Sequence, residues 1–351
     1  MRYLVPTLAG LVSALALAAG GAHAEMNLAG DGPEIELRDL VARVVVTPEN
    51  RSDIDVRVRY GKAKVPVLMV SHRGNVTVLD GHLSSLQHGL HFNINFSDGD
   101  EGVDHGRVFI TGLGDVDIAD LPMVFVRVPM NAAVKDSAYT FGTVAASNSL
   151  NFILNGSGDW NIAPVNGPLN IIDSGSGSIH IASAGDSVID NMGSSEIHLG
   201  RARKLKLSLS GSGDFNAGQS DETTIQNMGS SEVTLGKVAT LKAQLAGSGD
   251  LHLEGVGGAL TLVNTGSSDV IINRLDGTAA LDMTGSGDVS IRDGQSNNFV
   301  VHGTGSGDVT FHGTAGSVSV DTTGSGDVSI MRATGTVSSH TSGSGDTHIG
   351  H

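Results

Sequence analysis

Cysteine is absent from all 351 residues. That excludes a disulfide framework, thiolate metal sites and lipid attachment through an N-terminal cysteine. Aromatic residues make up only 4% of the chain, with one tryptophan, against 49 glycines. A conventional globular core of large side chains is excluded, and many short strands joined by tight turns fit better. Positive charge is scarce: 21 Lys and Arg stand against 37 Asp and Glu. Such a surface disfavours nucleic acid and anionic lipid as partners and suits cations or basic surfaces. Beyond the N-terminus no apolar run is long enough to span a membrane as a helix.

The single long apolar run, Leu4 to Ala19, follows Arg2 and precedes Ala22-His23-Ala24, a small-x-small cleavage site. Residues 1–24 read as a cleaved export signal, with the mature chain starting at Glu25. Its removal takes away Arg2 and no acid, leaving 20 basic against 37 acidic residues, a balance of −17. The expected location is the periplasm or the cell surface.

What is abundant is a repeat. Gly-Ser-Gly-Asp or a close variant begins at Gly156, Gly175, Gly193, Gly211, Gly229, Gly247, Gly266, Gly285, Gly305, Gly324 and Gly343, at intervals of 18 to 20 residues. A fixed period of that length marks a solenoid, in which each repeat buries its apolar face by stacking on its neighbours. After each motif the chain runs apolar, polar, apolar, as in Phe215-Asn216-Ala217 and Val289-Ser290-Ile291. That is a strand with one buried face. A second apolar column, including Phe152, Ile171, Leu207 and Val320, lies four residues before the first Gly. Each unit is strand, glycine turn, strand, loop, and the fold class is an all-β parallel β-helix.

A further alternation overlies the repeat. Two residues before the first Gly stand Leu154, Asp173, Asn191, Leu209, Asn227, Leu245, Asn264 and Met283. The turns alternate with them, Gly-Ser-Ser-acid after Asn and Gly-Ser-Gly-Asp after Leu. If like side chains stack on like, as in an Asn ladder, one coil holds two units, about 36 to 38 residues. A one-unit coil of about 19 residues is the alternative.

Residues 151–351 are the regular repeat and residues 25–150 its irregular N-terminal coils or cap. In the latter, Ile35, Leu37, Leu40, Val44 and Val46 suggest a strand pair, and Ile54, Val56 and Val58 alternate cleanly. Gly112-Leu113-Gly114-Asp115 with Val116-Asp117-Ile118 reads as one more unit. Pro122 and Pro129 bracket Val124, Val126 and Val128, as expected of an edge or capping strand. Gly81 to Leu90 carries the best helical pattern. The chain stops at His351 without an obvious cap, which leaves the last coil open to a partner.

With its signal segment, the stretch Leu121 to Pro129 and serial units such as Thr284 to Val289, the sequence resembles the auto-transporter adhesin head GIN domain family. The resemblance extends from about Glu34 to Ile349. It implies a right-handed parallel β-helix exported to the envelope with an adhesin-like role. It carries over no catalytic residue, and no translocator barrel follows the repeats.

The acidic column that includes Asp214, Asp250, Asp288, Asp308 and Asp327 offers candidate calcium ligands, since stacked carboxylates repel unless something sits between them. Alternatively each acid folds back on its own glycine turn. Calcium aside, no cofactor is expected. His82, His88, His91 and His105, near Asp98, Asp100, Glu101 and Asp104, form a His/acid cluster of the kind that binds transition metals, or a solvated loop. His180, His198, His252 and His348 recur at one outward position and read as surface. Thr265, Thr284, Thr304 and Thr323 make an outward hydroxyl column.

The expected function is non-catalytic: an exported adhesin-like or structural module binding a polysaccharide or surface protein multivalently. Its binding face would comprise Ser212, Asp214, Ser248, Asp250, Thr284, Ser286, Asp288, Thr304, Asp308, Thr323 and Asp327. The alternative is a polysaccharide lyase or hydrolase on a β-helix, with its groove near His82 to His105. Repeated carboxylates and only three basic residues after Lys242 weigh against it.

Overall fold

A strand with an apolar residue at every second position must cover that face, and in a chain poor in aromatics the cover comes from copies of itself. The computed structural model describes residues 25–30, 32–86, 106–110 and 113–351. It is a β-solenoid of about 12 turns with a repeat of about 19 residues. Among the described residues there is no α-helix, only 3-10 turns at Leu83–Leu86 and Ile118–Asp120. The chain divides into two compact units, up to Val165 and from Asn166.

In the second unit every strand runs parallel to the next coil's strand. Ile197 faces Phe215, Phe215 faces Val233, Val233 faces Leu251, and so on through Val328 and Thr347. Each partner lies 18 to 20 residues on, so one coil is one unit. The two-unit coil is therefore overturned. Asn191 stacks on Leu209, Leu209 on Asn227, and Asn264 on Met283, so no Asn ladder forms.

The alternation has a local cause instead. Asn227 points inward and staples its own turn: Nδ2 donates to the Ser231 carbonyl (2.7 Å) and Oδ1 accepts from the Gly229 amide (3.1 Å). Asn191 and Asn264 make the same pair of bonds. In these coils the fourth residue after Asn is a buried serine, Ser195, Ser231 or Ser268. Where Leu or Met replaces Asn no staple exists, and a glycine stands in the serine's place.

The inward columns form the core. Phe215, Val233, Leu251, Ile291 and Phe311 are fully buried or nearly so, each contributing about 1.5–3 kcal/mol by leaving water. Phe299 and Phe311 stack face to face at 4.8 Å.

The first unit is less regular. Its strands are β1 (Glu25–Gly30), β2 (Glu34–Glu49), β3 (Ile54–Arg59), β4 (Met69–Arg73), β5 (Val76–Asp80), β6 (Arg107–Ile110), β7 (Gly114–Asp117), β8 (Met123–Pro129), β9 (Asn131–Val144), β10 (Ser149–Leu154) and β11 (Ser157–Ile162). β10 and β11 stack on β9 in the solenoid manner, 18 residues on. β9 stacks on β2, nearly a hundred residues earlier in the chain. Rather than a strand pair, β2 is one long strand, interrupted by a register shift after Arg38 where Asp39 adopts φ 48°. Its other edge is closed by β5 and β8, both parallel to it. β3 then pairs antiparallel with β8, β1 with β3, and β4 with β5.

Two expectations change here. β8 has β2 on one side and β3 on the other, so it caps the stack without being an edge; its prolines stand at its ends, where no ladder bond is lost. The unit expected at Gly112 is not a coil. β7 turns back antiparallel on β6, with the Leu113 amide donating to the Ile110 carbonyl and Gly114 at φ 79°. Val108, Ile110 and Ile118 pack with Leu121 and Phe141 in a cluster of their own.

Among the described residues of this unit, Asp136 is the most enclosed carboxylate. It is fully buried and accepts hydrogen bonds from Trp160 Nε1 (3.0 Å), the Ala138 amide (3.0 Å) and the Thr140 hydroxyl. Trp160 meets Phe152 edge to face at 4.9 Å. It fits because Gly142 lies beneath it: a Cβ there would stand 2.3 Å from the indole. Burial pushes the Asp136 carboxyl up to about 7, against the opposing pull of its three donors.

Two outcomes are expected. Asn227→Ala removes both staple bonds and should cost about 1–3 kcal/mol. Asn227→Leu with Ser231→Gly recreates the neighbouring coil type and should recover most of that loss in denaturant unfolding. For Asp136, the folded carboxyl holds its proton to about pH 7 and the unfolded one only to its model value of 3.8. Between these values the folded state binds more protons, so this group's stabilisation falls as pH rises through that window and levels off above it. Trp160→Phe, which removes one donor to the charged form, should extend the decline above pH 7, read as Tm against pH relative to the parent chain.

Candidate functional site

The glycine turns of the second unit line up into a surface. Each turn serine donates its amide to the first glycine's carbonyl one coil earlier: Ser286 to Gly266, Ser306 to Gly285 and Ser325 to Gly305, all at 3.1 Å. Successive turns approach so closely that a Cβ on Gly285 would lie 1.7 Å from the Gly266 oxygen. Glycine is thus the floor. On one side stand Thr265, Thr284, Thr304 and the exposed Thr323, on the other Ser267, Ser286, Ser306 and Ser325. Thr265, Thr284, Thr304 and the four serines line a shallow groove of about 490 Å³, and Thr323 lies beyond its lining. Ser212 and Ser248 hold the corresponding exposed positions in earlier coils.

The acidic column borders the serine side. Asp214 Oδ1 accepts the Glu232 amide (3.0 Å), Asp250 the Asp269 amide (2.9 Å), and Asp269 the Asp288 amide (2.8 Å). Asp288 accepts from Asp308 (2.8 Å), Asp308 from Asp327 (2.7 Å) and Asp327 from Asp346 (2.8 Å). The acids therefore reach to the next coil and do not fold back on their own turns. The reason lies in the ladder. Val289 donates to the Asp308 carbonyl and Val309 to the Asp327 carbonyl, which leaves the acid's own amide without a backbone acceptor. The carboxylate of the preceding coil supplies one.

Neighbouring charges about 4.8 Å apart repel by about 1 kcal/mol in water. A charge-assisted hydrogen bond is worth about 1.5–3 kcal/mol. The bond outweighs the repulsion, so the column does not require a counter-ion to stand. Among the described residues no three histidines or acids converge as a metal would require. The five calcium candidates sit one above another along the stack.

The histidines separate into two groups. His180 and His198 stack in parallel at 4.6 Å, with His198 Nε2 2.9 Å from Glu196 Oε1. His252 Nε2 lies 3.6 Å from Glu232. In the other group His82, at φ 49°, has Nδ1 3.3 Å from Asp80 Oδ1. His88, His91, His105 and the acids Asp98, Asp100, Glu101 and Asp104 lie outside the described residues, as do the signal segment and residues 87–90 of the stretch read as helical, whose described part holds only the 3-10 turn Leu83–Leu86.

The raised carboxylates escaped the sequence reading as a feature. Asp136 lies 18 residues before Leu154 and pairs with it in register. Asp173 is also inward and fully buried, and burial raises its carboxyl as well. An acid at a position otherwise held from Leu154 to Met283 by Leu, Asn or Met was the available signal.

Asp288→Ala should lower stability by about 1–2 kcal/mol, having left the Asp308 amide unmet. Asp288→Asn keeps an acceptor, removes repulsion and should be neutral to within about 0.5 kcal/mol, as read by chemical unfolding.

No curated protein matches the chain. Among solved structures, it is similar to a putative adhesin from Bacteroides fragilis (14% identity, 94% of this chain and 98% of that one, TM-score 0.28). It is also similar to a putative adhesin from Parabacteroides distasonis (13%, 91% and 98%, 0.29) and a putative cell adhesion protein from Clostridium sporogenes (9%, 74% and 98%, 0.21). Superpositions this loose carry no argument. The family described as "Putative auto-transporter adhesin, head GIN domain" matches residues 137–257 and 255–350, starting within β9 and not at Glu34. That match covers more than half of the chain, which belongs to this family of adhesin head domains.

Proposed function

We propose that the protein is an exported, non-catalytic adhesin module that binds a repetitive polymer or surface along its glycine-floored groove. The observation that carries this reading is the groove itself: threonine hydroxyls on one wall, serine hydroxyls on the other, repeated at every coil from Thr265 to Ser325. Each hydroxyl contributes about 0.5–1.5 kcal/mol at most, so useful affinity must be summed over several coils. An extended polysaccharide of the envelope or the extracellular matrix suits such a row. A surface protein's exposed strand is a second kind of extended partner.

The distribution of acids supports the non-catalytic part. General acid chemistry needs a carboxylate with a raised pKa facing the ligand. The two carboxylates raised by burial, Asp136 and Asp173, are enclosed in the coil interior. Family membership supports the adhesin role and export to the periplasm or the cell surface.

The test incubates the chain with a panel of envelope and extracellular polysaccharides and follows retention and release of short sugars together. Retention without products is expected. Thr265→Val with Thr284→Val and Thr304→Val, which swaps hydroxyls for methyls at exposed positions where strand gives way to turn, should weaken retention about tenfold or more with little change in unfolding. New sugar products, or retention indifferent to the triple variant, would overturn this reading.

A further inference from the structure

Charge is segregated along the second unit. Residues 201–245 carry six basic and four acidic side chains, whereas residues 246–351 carry three basic and eleven acidic. Within the basic coils, Arg203 pairs with Asp186 (2.5 Å), Lys204 with Glu222 (2.6 Å) and Lys237 with Glu254 (3.2 Å). Lys206 and Lys242 have no ion-pair partner among the described residues. Both are exposed and share one outward column, Lys206 facing Thr224 and Thr224 facing Lys242. On these coils and the one before them, Met192, Met228 and Val188, which faces Lys206, are 55%, 65% and 38% exposed, an unusual amount of apolar side chain for so polar a surface.

We propose that this face docks the acidic column of a second copy of the chain, the two stacks lying side by side. Period as well as sign favours this pairing. Lys206 and Lys242 are two coils apart, about 9.6 Å at the spacing of paired strands. The acidic column repeats at the same rung spacing because it is the same solenoid, so Lys206 and Lys242 fall opposite every second acid, for example Asp269 and Asp308. Each of these acids uses Oδ1 on the next coil's amide and has Oδ2 left for a partner. No other kind of anionic surface is bound to share that spacing.

The contact joins unlike patches, so it is head-to-tail in type and propagates beyond a dimer unless it closes. The chain's overall charge of −16 opposes association. Segregation overcomes this at short range, because at about 0.1 M salt charges farther apart than about 10 Å are screened.

Sedimentation velocity of the full chain, from about 1 to 100 μM, decides the matter. Reversible association is expected in about 0.1 M salt and should weaken at least tenfold in about 1 M. Lys206→Glu with Lys242→Glu should weaken it at least as much without shifting the unfolding midpoint. Asp269→Asn with Asp308→Asn, which keeps the amide acceptors, should weaken it too. A chain that stays monomeric throughout, or associates regardless of either pair of substitutions, would refute the proposal. So would a monomer that floats with phosphatidylglycerol vesicles and loses that binding on Lys206→Glu with Lys242→Glu, since the face would then serve an anionic lipid.

Discussion

Everything in the second unit follows from how near one coil must come to the next. Backbone hydrogen bonds between parallel strands hold successive rungs about 4.8 Å apart, and the turns must keep that spacing as well as the strands. Where the turn backbones meet, a side chain has no room, so glycine recurs at the same place in each coil. Where the ladder leaves the acid's amide unmatched, a carboxylate from the coil below fills in. The groove is thus first a product of stacking and only then a surface that a ligand can use.

The same constraint explains the two kinds of turn. An inward Asn ties its turn from inside and stands with a buried serine, as Asn227 does with Ser231. An inward Leu gives apolar contact and stands with glycine, as Leu245 does with Gly249. Both solve one problem, closing a tight reversal over a narrow core, with polar bonds in one case and packing in the other. A buried carboxylate at the equivalent position, as at Asp136, is a third solution, and it makes stability depend on pH.

Much of this was legible in the sequence. The motif spacing, the apolar columns and the placement of Trp160 in the core follow from periodicity, because every coil repeats the same demand. Coil length was misread because Asn191, Asn227 and Asn264 were assigned to a ladder between coils, when their bonds lie within single turns. The acids were misread for the converse reason: their bonds run between coils, which a local motif does not reveal. The strands before Asn131 were obscure because β2 finds β9 across nearly a hundred residues, and β7 reads like a repeat yet pairs as a hairpin. Of the candidate face, Thr284, Ser286 and Thr304 can be named from periodicity, whereas their joining in one groove depends on how closely successive turns stack.

The bond from each carboxylate to the following coil's amide also gives the stack a direction of growth. A segment joining the finished end meets acceptors already in position for the amides it brings. It can settle without waiting for anything farther along the chain. A polypeptide delivered slowly, N-terminus first, through a narrow passage could therefore assemble rung by rung, each arrival templated by the last.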